Sequence, residues 1–449
     1  MVPRRRFSRR FAVVAAGAVL LFLWHVWSLQ SDLQAPSGNT KTKTSSSSGT
    51  NPEYVGEPAP ICPPFPGIDD VLVVMKTGVT EARDKVPIHF QTTLRCIPHY
   101  VIYSDFEEVI EGVTIHDAFR TMDPEVMERV PDFDIYNRIA RSGRQGLEQN
   151  DFADEDNSAI GKPNNPGWKL DKWKFLPMAQ EALQAKPDAK WFVFMEADTY
   201  VSWPTLLAWL ARFNPSDPLY IGTETQIADV IFAHGGSGFI LSNSGLTAAS
   251  NEYEARRAEL DEFTNGHWAG DCVLGKVLAD AGVQLLYSWP ILQNSNIGEL
   301  DEFDQSLYRN PWCYASVAFH HLSSTEIQDL WKFEKKRWHD KNKRILLHSD
   351  MFREFIFPQI AAHPSRLNWD NFSEQEDLVA STFEECEALC ETKPLCVQYS
   401  FRDGKCFTND RPRLGVSPKH GQSTSGWLTS RIRNIMDEKG LCRQSEFGL

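Results

Sequence analysis

The stretch Trp191-Phe192-Val193-Phe194-Met195-Glu196-Ala197-Asp198-Thr199-Tyr200-Val201 decides how this chain is read. An apolar, β-rich run ends abruptly in two acids spaced i, i+2. A run of that length, bounded in this way, is a buried strand of an α/β sheet. Ligands of open α/β sheets bind outside the carboxyl ends of the strands. Carboxylates there are costly to desolvate unless a cation compensates them. Hard divalent cations take such oxygens and also bind diphosphates. The run therefore points to a metal site for a nucleotide-linked substrate. The bland alternative is a solvated acid pair where strand meets loop.

The flanking sequence supports a layered α/β domain. Residues 71–75 form a first apolar strand, and residues 99–103 a second that ends at Ser104-Asp105. Residues 142–167 are polar and rich in Gly, Asn and Pro, and predict a loop. Residues 173–183 have helical spacing, with Pro177 inside. A helix from 204 to 212 follows the acid-tipped strand, and Pro204 suits its first turn. Residues 219–222 and 239–241 are short strands, 271–281 a helix, and 345–363 a connection.

The chain has 449 residues, 42% of them hydrophobic and 12% aromatic, enough for a well-filled core rather than disorder. Fourteen tryptophans suit sugar or partner binding, but they also serve as plain core mass. Net charge is −14; the first 30 residues hold five arginines and no acid, which leaves −19 on the rest. So acidic a body is a poor nucleic-acid binder. An anionic nucleotide would need a local metal or a few placed cations. Arginines 4, 5, 6, 9 and 10 precede an almost wholly apolar segment, residues 11–29, long enough for a transmembrane helix. No small-residue cleavage site follows, so a retained signal anchor is expected, with the body lumenal or extracellular. Residues 30–65, rich in Ser, Thr, Gly and Pro, read as a flexible stem.

All nine cysteines lie beyond the apolar segment, where disulfides are allowed, and an odd number leaves at least one unpaired. Four fall within 21 residues, from Cys386 to Cys406, and suggest a small stapled helix-plus-sheet module. Cys62 with Cys96 is a further candidate bridge. Asn371-Phe372-Ser373 is a glycosylation triplet, either used or fortuitous.

Three more pieces lie downstream. His234-Gly235-Gly236-Ser237-Gly238-Phe239 is a glycine loop entering a strand, which alone would be a tight turn. Gly270-Asp271-Cys272-Val273-Leu274-Gly275 puts a carboxylate at a helix start, which alone would be a cap. Ala318-Phe319-His320-His321 ends an apolar run with imidazoles, structural groups or metal ligands. In this order, and with Thr92-Thr93-Leu94-Arg95-Cys96 and Asp171-Lys172-Trp173-Lys174, the pieces resemble glycosyltransferase family 31, the fringe and core 1 β-1,3-galactosyltransferase type. The resemblance covers roughly residues 71–322.

That resemblance implies a GT-A fold, a Rossmann-like α/β domain over residues 66–345, acting on a UDP-sugar with Mn²⁺. It makes Asp198 and His320 the metal ligands and Asp271 the catalytic base. Lys174, Glu196, Gly235 and Gly236 fall on the donor side. The family's usual acid triplet is here Glu196-Ala197-Asp198, so Glu196 is expected at the ribose or a metal-bound water, and Ala197 lacks a carboxylate. The implied reaction is inverting transfer of a sugar, galactose above all, to a glycan or glycoprotein hydroxyl in β-1,3 linkage. One base suffices for such a reaction, and a divalent cation offsets the charge of the leaving diphosphate. Residues 368–442 resemble a PAN/apple module, which would pair Cys386 with Cys406 and Cys390 with Cys396. Residues 1–10 become a cytoplasmic tail, and the whole a single-pass Golgi membrane protein, a homodimer being one allowed state. A catalytically inactive relative, acting as a binding protein or chaperone, is the alternative; it would be expected to lose some of Asp198, Asp271 and His320.

Overall fold

A computed structural model describes residues 62–153, 162–304, 309–338, 340, 343–377 and 380–447. The expected tail, the anchor at 11–29 and nearly all of the stem lie outside these residues. Among the described residues no helix is long and apolar enough to cross a membrane.

The main sheet has eight strands, in the order Leu285–Tyr287, Tyr220–Gly222, Phe239–Ser242, Trp191–Glu196, Val71–Lys76, Tyr100–Ser104, Val113–Asp117, Glu108–Ile110. Val71–Lys76 pairs in parallel with both Tyr100–Ser104 and Trp191–Glu196. Phe239–Ser242 is antiparallel to both its neighbours. The chain leaves Val71–Lys76 toward one edge and returns on its other side as Trp191–Glu196. That reversal makes the crevice at their carboxyl ends the natural ligand site.

Both faces of these strands are covered, which explains their unbroken apolar runs. Val71, Val73, Met75, Trp191, Val193 and Met195 belong to one core. Leu72, Val74, Phe192 and Phe194 belong to another, with the helices Phe175–Ala185 and Gly270–Asp280. Pro177 is third in Phe175–Ala185, within the turn whose amides have no helical partner, so it costs no hydrogen bond.

Two expectations need correction. Residues 345–363 are largely helical, as His348–Asp350, Met351–Ile356 and Phe357–Ala362. Pro358 argues for a break, but the backbone widens into π turns ahead of it, and Met351, Phe352, Ile356 and Ile360 are buried. The region 142–167 is not all loop: short 3₁₀ turns cover Gly143–Gly146 and Gln149–Phe152.

The C-terminal region forms a five-stranded antiparallel sheet, ordered Ser365–Leu367, Ser423–Trp427, Gln398–Arg402, Lys405–Asn409, Gln375–Asp377. Asp403 and Gly404, both at positive φ, make the tight turn between Gln398–Arg402 and Lys405–Asn409. Cys386–Cys406 and Cys390–Cys396 staple the helix Phe383–Thr392, and Cys62–Cys96 is bonded too. A fourth bridge, Cys313–Cys442, was not legible from spacing, and Cys272 is free and buried. Val397, Leu414, Trp427, Ile432 and Met436 join the same apolar core as the main sheet. Gly415 N donates to Gly298 O at 2.9 Å, and Ala315 N to Glu446 O at 2.8 Å. This region therefore shares a core with the α/β body rather than hanging from it. Asn371 is fully buried, its amide donating to Tyr399 O and Gly426 O, so the triplet is a structural turn in this fold.

Candidate active site

Adjacent parallel strands bring Lys76 and Glu196 into register, and they form an ion pair at 3.0 Å. Lys76 also bonds Asp171. Burial opposes the Lys76 charge, but Asp171 and Glu196 outweigh it and hold its pKa above the usual lysine range. Burial alone would raise the Glu196 pKa; Lys76 and His320 reverse this and hold it well below the usual range. Lys174 is buried behind this pair. Its ammonium donates to Thr77 O at 2.8 Å and pairs with Asp171 at 3.3 Å. It thus faces protein groups and reaches a ligand only through them.

The short strand Ala318–Phe319 pairs antiparallel with Tyr200–Val201, and Leu322 N donates to Asp198 O at 3.0 Å. This clasp carries His320 onto the acid tip. His320 Nε2 lies 3.3 Å from Asp198 Oδ1 and 3.7 Å from Glu196 Oε2. Burial disfavours the imidazolium, but Asp198 and Glu196 outweigh burial and raise its pKa to about 9. Burial likewise pushes Asp198 upward, and His320 and Lys85 overcome it to hold the carboxyl at about 2. His321 adopts φ +56° and stacks on His320 with ring centroids 3.8 Å apart. A left-handed backbone at a non-glycine residue is strained, and such strain clusters at functional sites.

Ligating atoms of Asp198, His320 and His321 lie within 4.8 Å of one another. Among the described residues, buried His320 Nδ1 has no hydrogen-bond partner, and Asp198 Oδ1 has none beyond its ion pair with His320 Nε2. One carboxylate oxygen with imidazole nitrogens is a donor set that fits a first-row divalent ion. Glu196, committed to Lys76, stands beside this cluster rather than in it.

The glycine loop ties the pieces together. Gly235 N donates to Asp271 Oδ2 at 2.9 Å, and Asp271 Oδ1 accepts from Cys272 N at 2.9 Å. Asp271 is thus not the cap of its helix: the N-cap position is Ala269, without a side-chain bond, and Asp271, second in Gly270–Asp280, takes up one first-turn amide while facing the loop. Burial raises its pKa, with His234 and the two amides opposing. Thr199 Oγ1 donates to Gly236 O at 2.8 Å. A Cβ on Gly236 would lie 2.0 Å from His320 Cε1, so only glycine lets the loop approach that ring. Gly238 supplies the turn, with φ +75°.

Sequence reasoning missed several members. His321 follows His320 directly and could have been paired with it. Lys85, on the helix Ala82–Lys85, meets Asp198 Oδ2 at 3.1 Å across 113 residues. His89 is buried and its Nε2 contacts Ala197 O at 2.8 Å, bracing the turn between the two acids. No local pattern marks either.

Human chondroitin sulfate glucuronyltransferase is 29% identical over 91 residues, a match spanning 19% of this chain and 12% of that protein. The chain therefore covers about an eighth of that relative's length. The Fringe-like profile matches residues 67–337, more than half the chain, including every site residue above, and the protein belongs to the Fringe-like family.

Proposed function

We propose that the protein is an inverting, metal-dependent glycosyltransferase. It moves a hexose, galactose being the first candidate, from a UDP-sugar to a hydroxyl of a glycan or glycoprotein in β-1,3 linkage. The observation that carries this reading is the convergence of His320 and Asp271 on one glycine loop, with Asp198 paired to His320 and its neighbour Thr199 bonded to the same loop. Family membership and the glucuronyltransferase likeness support the reaction class.

Asp198 and His320, with His321 adjacent, would hold Mn²⁺. That ion, when bound, supplies positive charge to the departing diphosphate. Asp271 accepts the proton of the attacking hydroxyl. Its raised pKa brings its proton affinity closer to that task, and the Gly235 amide aims the carboxylate. Lys76 neutralises Glu196 and fixes it at the strand end, where it is placed for the donor's ribose. Lys174 holds Thr77 and Asp171 around that position. Gly235 and Gly236 let the backbone come close to the donor.

The reading includes anchorage by residues 11–29 in the Golgi membrane. Four disulfides support an oxidising compartment. The C-terminal region carries the PAN-like pairing Cys386–Cys406 and Cys390–Cys396, on which we base its assignment as such a module.

The test is UDP release by the full chain across a panel of UDP-sugars, with Mn²⁺ and with chelator. Release from one sugar, abolished by chelator, is the expected result and names the donor. Silence from a folded protein, persisting with candidate acceptors present, would overturn the reading in favour of a binding protein.

A further inference from the structure

Four aromatic rings form a row beside Asp271. Phe263 and His267 lie 5.5 Å apart at 27°, His267 and Trp268 6.2 Å apart at 13°, and Trp268 and Trp168 6.0 Å apart at 21°. All four are partly exposed. Trp168 belongs to none of the apolar cores, although it is among the largest apolar side chains in the chain. Among the described residues neither indole N–H of Trp168 or Trp268 has a hydrogen-bond partner. Core indoles of this protein vary in this respect: those of Trp173, Trp203 and Trp427 are bonded, while among the described residues those of buried Trp209 and Trp338 have no partner, so what marks Trp168 and Trp268 is their exposure beside one another. Two partly exposed indoles stacked on one another, Trp168 outside every apolar core and Trp268 touching only the small cluster of Phe232, Ala269 and Cys272, suit a ligand-binding surface.

The row is held rigidly. Lys172 Nζ donates to Asn265 O at 3.2 Å and His267 O at 2.8 Å, and pairs with Asp132 at 2.8 Å. Ala269 N donates to His267 Nδ1 at 3.0 Å. Gly270 sits so close to Phe175 and Lys172 that a Cβ would lie 2.4 and 2.6 Å from them. On the other side, Asn165 caps the helix Pro166–Asp171 by accepting from Trp168 N at 2.8 Å. One turn beyond Trp168, Asp171 joins the Lys76–Glu196 pair. The tryptophans thus come from two pinned segments, one leading into Asp271 and one into the strand-end ion cluster.

We propose that Trp168 and Trp268 form a shelf for the acceptor, taking the C–H face of a pyranose while its hydroxyls meet the indole N–H groups. A pyranose carries such an apolar face inside a polar rim, and aromatic rings pack on it as on other apolar surface. Trp268 lies three residues before Asp271, at the start of the helix Gly270–Asp280, so the shelf and the base are joined by one short segment. A nucleobase would also stack on an indole. The short chain connection from Trp268 to Asp271 favours the acceptor, and Asp271 is the carboxylate whose field reaches His267. The inference rests on the transferase reading for the shelf's catalytic meaning, though not for its ligand class.

Two measurements on the full chain test it. In steady-state transfer, Trp268→Ala and Trp168→Ala should each raise the acceptor KM by about tenfold or more, while Trp268→Phe recovers most of the loss and calorimetric UDP affinity is kept. A raised donor KM or weakened UDP binding, with acceptor KM unchanged, would overturn the acceptor assignment in favour of the nucleobase. Independently of turnover, tryptophan fluorescence is titrated with a panel of methyl pyranosides. Saturable quenching in the unmodified protein that disappears in Trp168→Ala/Trp268→Ala supports the shelf even if no transfer is found. Absence of saturable quenching by every pyranoside, in protein whose melting is cooperative, would overturn it.

Discussion

Gly236→Ala tests the centre of the site with a single methyl group. The new Cβ would fall 2.0 Å from His320 Cε1, 2.3 Å from Nε2 and 2.6 Å from Nδ1, whereas ordinary contact begins at 3.4 Å. The ring would have to retreat about 1.4 Å. It has little room: it is 4% exposed, and His321 stacks on it at 3.8 Å. The loop cannot easily retreat instead, since Thr199 holds Gly236 O and Asp271 holds Gly235 N. Overpacking of this kind costs about 1–3 kcal/mol of stability, leaving a folded protein. Displacing a positioned group by about 1 Å costs on the order of 100-fold in rate. Expected, therefore, are a modest drop in melting temperature, a loss of about 100-fold in metal-dependent UDP release, and weaker Mn²⁺ affinity by calorimetry. Gly235→Ala is the graded control, since its Cβ meets Phe175 at 3.2 Å and should perturb less. A Gly236→Ala protein with unaltered rate and Mn²⁺ affinity would refute the placement of His320 at the reacting centre.

Asp271→Asn should lower transfer by about 10²–10⁴-fold while UDP binding with Mn²⁺ survives; loss of both by calorimetry would remove Asp271 from the base role. Because the folded Asp271 pKa is raised and the base acts ionised, kcat/KM should fall on acidification at a pH above the ordinary Asp range, and the residual activity of Asp271→Asn should lack that limb. Glu334, buried against Tyr200 and Ser202, has its pKa pushed up to about 7 by burial, from 4.5 when unfolded. Its contribution is fully present below pH 4.5 and is lost as pH rises toward 7, by about 3 kcal/mol in all. Urea titrations of Glu334→Gln between pH 4.5 and 8 should show a shallower decline than the unmodified protein; parallel curves would count against it. Cys313→Ser with Cys442→Ser opens a loop of 129 residues and should cost about 5 kcal/mol, read as a lower urea midpoint; the nested bridges shorten the effective loop only slightly.

Much of this was legible because it is local. The run 191–201 announces its strand through composition, and the acids mark where that strand stops. The three bridges within reach of sequence spacing or family pattern are bonded in the fold. Pairings across long separations were not legible: Cys313 with Cys442, Lys85 with Asp198, His89 with Ala197. Each joins residues whose neighbourhood is made only by topology, and nothing in their own surroundings distinguishes them. The helical turns at residues 348–362 were not legible either, since they are made by the burial of Met351, Phe352, Ile356 and Ile360 against the body. Lys174 kept its place near the site but proved to be directed inward, a difference that a residue type alone cannot express.

The shared core of body and C-terminal region has a consequence for biosynthesis. Cys313 is synthesised 129 residues before Cys442. At translation rates of about 5–20 residues per second, that is roughly 6–26 s. Cys386, Cys390, Cys396 and Cys406 all emerge in the interval. The order of appearance thus offers Cys313 four wrong thiols before the right one. The segment leading to His320 meanwhile waits for the chain that will cover Gly298. Productive folding of this protein should therefore depend on a disulfide isomerase, and yield with and without one is a direct readout.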